Sequence, residues 1–89
     1  MYNYLVEYLG TFFFLFTILY TGNAFAIGVA LILVILVGGK ISGGNFNPAV
    51  TIMMGTAGKL PKKDVLPYIV SQVAGGLSAL ALYKQLPRH

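Results

Sequence analysis

The sequence predicts an all-α integral membrane protein with three transmembrane helices and one re-entrant half-helix. Composition is the first reason: of the 89 residues, 57% are hydrophobic and only 9% are charged, whereas a soluble domain carries roughly 25% charged residues. The second reason is the presence of three apolar runs, and the third is a polar, turn-rich stretch that separates the last two of them. At this length the chain is expected to form one domain, residues 1–89.

The first two apolar runs are expected to span the membrane as neighbouring helices. They cover about residues 4–20 and 24–39, with a short Thr-Gly-Asn turn between them. A spanning helix needs about 20 apolar residues, with a range of 17–25, so the second run reaches that length only when Gly38 and Gly39 are included. A secretory signal peptide is disfavoured for the first run, because residues 1–7 contain Glu7 and no basic residue, and a poor cleavage site follows the run.

The third apolar run covers about residues 65–83. Small residues in this run predict close packing against another helix: Gly75, Gly76, Ser78 and Ala79. Tyrosines near the ends of the runs are typical of residues at the membrane–water interface: Tyr2, Tyr4, Tyr20, Tyr68 and Tyr83.

A half-length helix is expected between the second and third runs, at about residues 48–55. Asn47 suits the N-cap and Pro48 the first helical position, while Gly55 and Gly58 are candidate stops. The segment is apolar but too short to cross a bilayer, so it is expected to enter and leave on the same side. Irregular backbone at membrane depth survives only where it is buried in protein or lines a water-filled cavity, which predicts a hydrated path beside this loop.

The chain resembles the aquaporin, or major intrinsic protein, family over nearly its whole length. Residues 42–51 read SGGNFNPAVT and are similar to the family's first-repeat signature, SGAHxNPAVT. Glu7, Thr11 and Phe14 resemble the pattern of its first helix, and Gln72 lies in a Gln-x-x-Gly pattern like that of its third. Family members carry two such repeats in inverted orientation, and this chain resembles the N-terminal one.

The resemblance implies a pore at the Asn47-Pro48-Ala49 motif. The N-terminus of a helix carries a partial positive charge, and the Asn47 side chain adds N–H donors; together they would present donors to water and repel cations at mid-membrane. The resemblance also yields six candidates for lining the path or its filter: Ile27, Ile35, Gly43, Gly44, Asn45 and Val50.

Val50 follows the motif as it does in the family's first repeat, whereas the second repeat has a filter arginine at the equivalent place. Asn45 departs from the pattern, because it replaces the histidine of SGAH. Asn45 is expected either to line the mouth of the path or to hold the turn. With Ile27, Ile35 and Val50 at the constriction, the filter would be apolar and the path wide.

Two polar residues within the apolar runs are expected to support the loop. The resemblance implies that Glu7 accepts hydrogen bonds from the loop backbone; the alternative is an interfacial glutamate that reaches water. Gln72 is expected to make a hydrogen bond between helices, a contact worth about 1 kcal/mol in a membrane.

A single repeat cannot enclose a pore, so the pore is expected from an antiparallel homodimer, an inverted pair of the kind found in many transporters. The resemblance extends this to a tetramer of such dimers. The loop side carries four basic residues: Lys40, Lys59, Lys62 and Lys63. The other side carries Lys84 and Arg88, so the charge bias that orients a membrane protein is modest and compatible with insertion in both directions.

The function expected is passive passage of water or small neutral solutes such as glycerol, through a bilayer whose identity the sequence does not give. No enzyme, metal site or cofactor is expected, since the chain has no cysteine, one histidine and two acidic residues. Nucleic acid is not an expected partner, because the basic residues lie at the ends of apolar runs. The rival hypothesis is a non-conducting membrane assembly protein, or a partner subunit of a full-length channel.

Overall fold

The computed structural model describes residues 2–87, and within them it contains four α-helices and no strand. The helices are α1 (Asn3–Thr21), α2 (Ala24–Ser42), α3 (Pro48–Thr56) and α4 (Lys62–Gln85). This confirms the expected fold class of three candidate spans and one short helix. Arg88, counted above among the basic residues, lies outside the described residues.

The three long helices have the dimensions of membrane spans. At 1.5 Å per residue, the 19 residues of α1 and of α2 extend about 28 Å, and the 24 residues of α4 about 36 Å. The hydrocarbon core of a bilayer is about 30 Å thick. The 9 residues of α3 extend only about 14 Å, roughly half of a span.

Two helices are longer than the sequence predicted. The third span begins at Lys62 rather than near residue 65, and α2 continues through Lys40 to Ser42. The lysines at these ends are exposed, so their charges cost little, and Asp64 in the first turn of α4 suits the positive end of the helix dipole.

Glycines end α1 and α2, and asparagines cap the starts of α2 and α3. Gly22 adopts a left-handed conformation (φ 54°) after α1, and its N–H donates to the Ile18 carbonyl at 3.0 Å. The Asn23 side chain then caps α2 by accepting from the Ala26 N–H at 2.9 Å. This two-residue connection makes α1 and α2 antiparallel neighbours. Of the expected stops for α3, Gly58 takes a positive φ of 77°, whereas Gly55 stays inside the helix and packs against Val65.

Helix α1 lies between α2 and α4, and α3 packs against α4. The α1–α4 contact is close because of small residues, as predicted: a Cβ on Gly75 would lie 2.5 Å from the Tyr8 carbonyl oxygen, and one on Gly76 would lie 2.8 Å from Leu15. The Tyr8 hydroxyl donates to Ser78 Oγ at 2.7 Å across the same contact. Within the described residues, the backbone of α2 does not closely approach α3 or α4.

The interior of this bundle is polar and its exterior is apolar. The most deeply buried large side chains include Glu7, Thr11, Thr51 and Gln72, while large apolar side chains such as Phe25 are exposed. Such a surface suits lipid, which offers no hydrogen-bond partners, or the apolar face of another membrane-embedded chain.

The prediction that Tyr68 lies at the membrane–water interface is wrong. Its side chain is 1% exposed, and its hydroxyl donates to the Ser42 carbonyl at 2.8 Å. Its ring meets that of Tyr4 edge to face at 5.8 Å. The buried carbonyl at the end of α2 therefore has a partner, and α4 is tied to α2 through this one side chain.

We expect Gly75→Ala to destabilise the bundle by about 1–3 kcal/mol, because the new methyl group has no room against the α1 backbone. The matched control is Gly28→Ala, at a helical glycine of α2 with nothing within 4 Å of the added Cβ; it should be neutral or slightly stabilising. Thermal unfolding in detergent measures both variants. Equal unfolding temperatures for the two would contradict the close α1–α4 contact.

Candidate functional site

The candidate site is built around Glu7, which lies on α1 and is 0% exposed. Its Oε1 accepts from the Phe46 N–H at 2.7 Å and from Gln72 Nε2 at 2.8 Å. Its Oε2 accepts from the Asn45 N–H at 3.1 Å and from Ser42 Oγ at 2.7 Å. Both oxygens accept and neither donates, which is the hydrogen-bonding pattern of a carboxylate.

These hydrogen bonds hold the loop between α2 and α3. The loop backbone is not helical, so its N–H groups need partners from elsewhere, and in a membrane water is not generally available to supply them. Glu7 provides acceptors for two consecutive N–H groups, those of Asn45 and Phe46. A charged acceptor makes each bond stronger than a neutral one, so α1 fixes the position of the loop.

Thr51 extends the cluster into the half-helix. It is 0% exposed on α3, and its Oγ1 accepts from Asn45 Nδ2 at 2.9 Å and from Gln72 Nε2 at 2.7 Å. Gln72 Nε2 therefore bridges Glu7 of α1 and Thr51 of α3 from its place on α4. One amide group ties three helices together behind the loop.

The structure brings Glu7, Gln72 and Asn45 together. Asn45 is 6% exposed, and its side chain and backbone both bond within the cluster; it lies with the residues that hold the turn. Sequence reasoning missed Ser42 and Thr51 as members of this cluster. The available signal was their polarity beside apolar helices, since polar groups at membrane depth need partners.

Asn47 is exposed, unlike the residues of the buried cluster around Glu7. Its backbone is extended (φ −162°), and its Oδ1 caps α3 by accepting from the Ala49 N–H at 2.8 Å. Pro48 occupies the first helical position, as predicted. The cap uses the oxygen of the Asn47 amide, so the NH₂ group of the same side chain is available as a donor at the helix terminus.

The filter candidates do not meet at one constriction within a single chain. Ile35 is 43% exposed and lies beside the loop, where a Cβ on Gly44 would be 3.6 Å from its Cγ1. Ile27 is on the same helix but eight residues earlier, roughly 12 Å away along the axis. Val50 is half-buried on α3, and Gly43 is exposed with a φ of 89°.

A cavity of about 510 Å³ lies beyond the N-terminus of α3. Asn47 and Pro48 border it, and apolar residues from the second halves of α1 and α4 form most of its lining. Thr11 and Gln72 contribute polar lining, and within the described residues Thr11 Oγ1 and Gln72 Oε1 are buried without a hydrogen-bond partner. The N-terminus of the half-helix therefore borders a groove that is open and mostly apolar.

The described residues bring together no group of three or more histidine, cysteine, aspartate or glutamate side chains. The expectation that the protein holds no metal and no cofactor stays a prediction.

Comparisons with known proteins give a consistent family. The sequence profile described as Major intrinsic protein matches residues 17–88. Aquaporin Z of Brucella melitensis biotype 1 is 44% identical over 63 residues, which cover 71% of this chain and 28% of that protein. Aquaporin Z of Photorhabdus laumondii subsp. laumondii is also 44% identical over 63 residues, which cover 71% of this chain and 27% of that protein.

The matched region therefore spans less than a third of the length of these curated relatives. No solved structure gives a significant match.

We expect Glu7→Gln to loosen the loop and destabilise the protein by roughly 1.5–3 kcal/mol, because the glutamine NH₂ group would face donors instead of accepting from them. Limited proteolysis in detergent measures loop exposure, and thermal unfolding measures stability. The matched control is Asp64→Asn, the same chemical change at a carboxylate that accepts from Tyr4; the new amide oxygen can still accept, so its effect should be smaller. A larger effect at residue 64 would contradict the assignment.

Proposed function

This chain belongs to the major intrinsic protein family, and we propose that two antiparallel copies of it form a passive membrane channel for water and small neutral solutes. The family and the three apolar helices make it an integral, multi-pass membrane protein. The observation that carries the proposal is the N-terminus of α3, which borders the cavity of about 510 Å³ with Asn47 exposed. Membership of this family also supports the expectation that the chain is not an enzyme.

The chemistry of this terminus suits water and disfavours ions. The dipole of α3 places about half a positive charge at its N-terminus, and the Asn47 NH₂ group adds donors at the same place. A water molecule that offers its oxygen to these donors turns its hydrogens away, which interrupts a continuous hydrogen-bonded chain for protons. The same field repels cations.

The depth of α3 supports a second copy as the other half of the pore. Gly55 packs against Val65 in the first turn of α4, Thr51 accepts from Gln72 near the middle of α4, and Asn47 borders the cavity. The half-helix therefore runs along the first half of α4, and the cavity of about 510 Å³ lies along the second half. An inverted copy would bring a half-helix of the same length into that second half, so that the two Asn47-Pro48-Ala49 segments meet near the midplane.

The distribution of charge is compatible with insertion in both orientations. In the sequence, Lys40, Lys59 and the two lysines at the start of α4 belong to the loop end, and Lys84 and Arg88 follow the last apolar run. This bias is too small to impose one orientation strongly. By family resemblance, four such dimers would assemble as a tetramer.

The solute range that we propose depends on three filter residues assigned by family resemblance, which lie at different places in the single chain. Ile27, Ile35 and Val50 are apolar, and no arginine precedes Arg88 in the sequence. A constriction without a charged or aromatic filter is wider and less selective, so glycerol would pass beside water. Proton exclusion would then depend on the two half-helices and Asn47.

Asn47→Asp tests this function, because aspartate can keep the helix cap while it replaces the NH₂ donors with an acceptor. The parent should speed osmotic shrinkage of proteoliposomes above that of empty vesicles. The loss of a donor costs about 1–3 kcal/mol, so water permeability per inserted protein should fall roughly ten-fold in the variant.

Asn23→Asp is the matched control, since Asn23 caps α2 in the same way but outside the proposed path; it should conduct like the parent. If the inserted parent is no faster than empty vesicles, the proposed channel is contradicted and the non-conducting assembly role is favoured.

A further inference from the structure

We propose that Phe46 is a positioning residue of the path: its ring, seated in a slot formed by Gly10 and Gly38, fixes where the neighbouring Asn47 stands. The proposal rests on the proposed function, because Asn47 is the donor offered to water. It concerns a residue that is almost fully buried, since Phe46 is 2% exposed.

The slot exists because α1 and α2 each carry a glycine at the ring. A Cβ on Gly10 would lie 2.6 Å from Phe46 Cδ1 and 2.8 Å from Cζ, distances that real side chains do not reach. A Cβ on Gly38 would lie 3.1 Å from the same Cζ. The ring therefore occupies space that any other residue at position 10 would fill.

The backbone of Phe46 is held in an unusual conformation. It is the non-glycine residue with a positive φ (53°) within residues 2–87, a conformation that is uncommon for a bulky side chain and persists only where the surroundings impose it. Two contacts impose it here: the N–H donates to Glu7 Oε1, and the ring is enclosed by the slot. One peptide unit further on is Asn47.

The slot also connects the loop to α1 and α2, two helices that the backbone of α3 does not closely approach in the described part of the chain. Helix α3 packs against α4, and Gln72 and Thr51 secure that side of the loop through hydrogen bonds. Phe46 gives the loop an apolar contact with both α1 and α2. It borders both the cavity of about 510 Å³ and a second one of about 420 Å³ between α1 and α2, so a displaced ring has room to move and to carry Asn47 with it.

The test adds a methyl group to the slot and removes ring atoms from residue 46, separately and together. The variants are Gly10→Ala, Phe46→Leu and the two combined, because leucine lacks the outer ring atoms that an alanine methyl at position 10 would meet. Gly28→Ala is the control for adding a methyl to a helical glycine with open space around it. The readout is the ratio of glycerol to water permeability in proteoliposomes, which does not depend on how much folded protein each vesicle holds.

We expect Gly10→Ala to change this ratio by roughly three-fold or more. A displacement of about one ångström in a group that binds the solute, here Asn47, has large effects. The double variant should return towards the ratio of Phe46→Leu alone, which is the coupling expected of residues in contact. Gly28→Ala should leave the ratio unchanged. A folded Gly10→Ala with the parental ratio, or a double variant that shows only the sum of the single effects, would overturn the proposal.

A second readout separates this proposal from the proposed function. The side-chain NH₂ resonances of Asn47 in detergent, assigned by their loss in Asn47→Asp, report its surroundings without any transport. They should shift in Gly10→Ala and in Phe46→Leu, and move back towards the Phe46→Leu position in the double variant. If the parent does not conduct but these shifts occur, the positioning role holds and the channel fails. If Phe46→Leu is folded and the resonances stay in place, the positioning role is overturned, and this arm decides even where Gly10→Ala does not fold.

Discussion

The structure depends on one buried carboxylate. A loop that leaves helical geometry inside a membrane exposes backbone N–H groups, and each unsatisfied group there costs several kcal/mol. Glu7 supplies both of its oxygens to this need and accepts four hydrogen bonds, two of them from consecutive backbone N–H groups. Without a fixed loop, the half-helix would have no defined depth and its N-terminus could not present Asn47 to a path.

The rest of the fold holds the loop in place through a polar interior and an apolar outer surface. Gln72 and Thr51 complete a polar interior, while close packing at Gly75 keeps α4 near enough to α1 for that contact. The outer surface is apolar, and the cavity beyond Asn47 is unfilled over the second half of α4. A half-helix that covers half of a span leaves room for one more, which is the physical ground for an inverted second copy.

The sequence predicted the elements that local chemistry determines. Asn47 before Pro48 marks a helix start through its cap, and Glu7 stands out because an acid in an apolar run needs a partner. Phe46 could not be found in this way. Its role depends on Gly10, which is far away in the chain, and on Gly38 of the preceding helix, and a phenylalanine among so many apolar residues gives no signal. Thr51 was hidden for a related reason, since its partner Gln72 is 21 positions away and only the fold brings them together.

The central claim is that two copies meet antiparallel at their half-helix N-termini, and cysteine cross-linking in native-like bilayers tests it most directly. The chain has no cysteine, so Ala49→Cys and Thr56→Cys each introduce a single thiol at an exposed position at opposite ends of α3. A disulfide requires Cα atoms within about 7 Å. The account predicts that Ala49→Cys forms a dimer on oxidation and that Thr56→Cys does not, because inverted copies place residue 56 towards opposite membrane surfaces. Dimers through Thr56→Cys, with none through Ala49→Cys, would mean parallel contacts and would contradict the inverted pore.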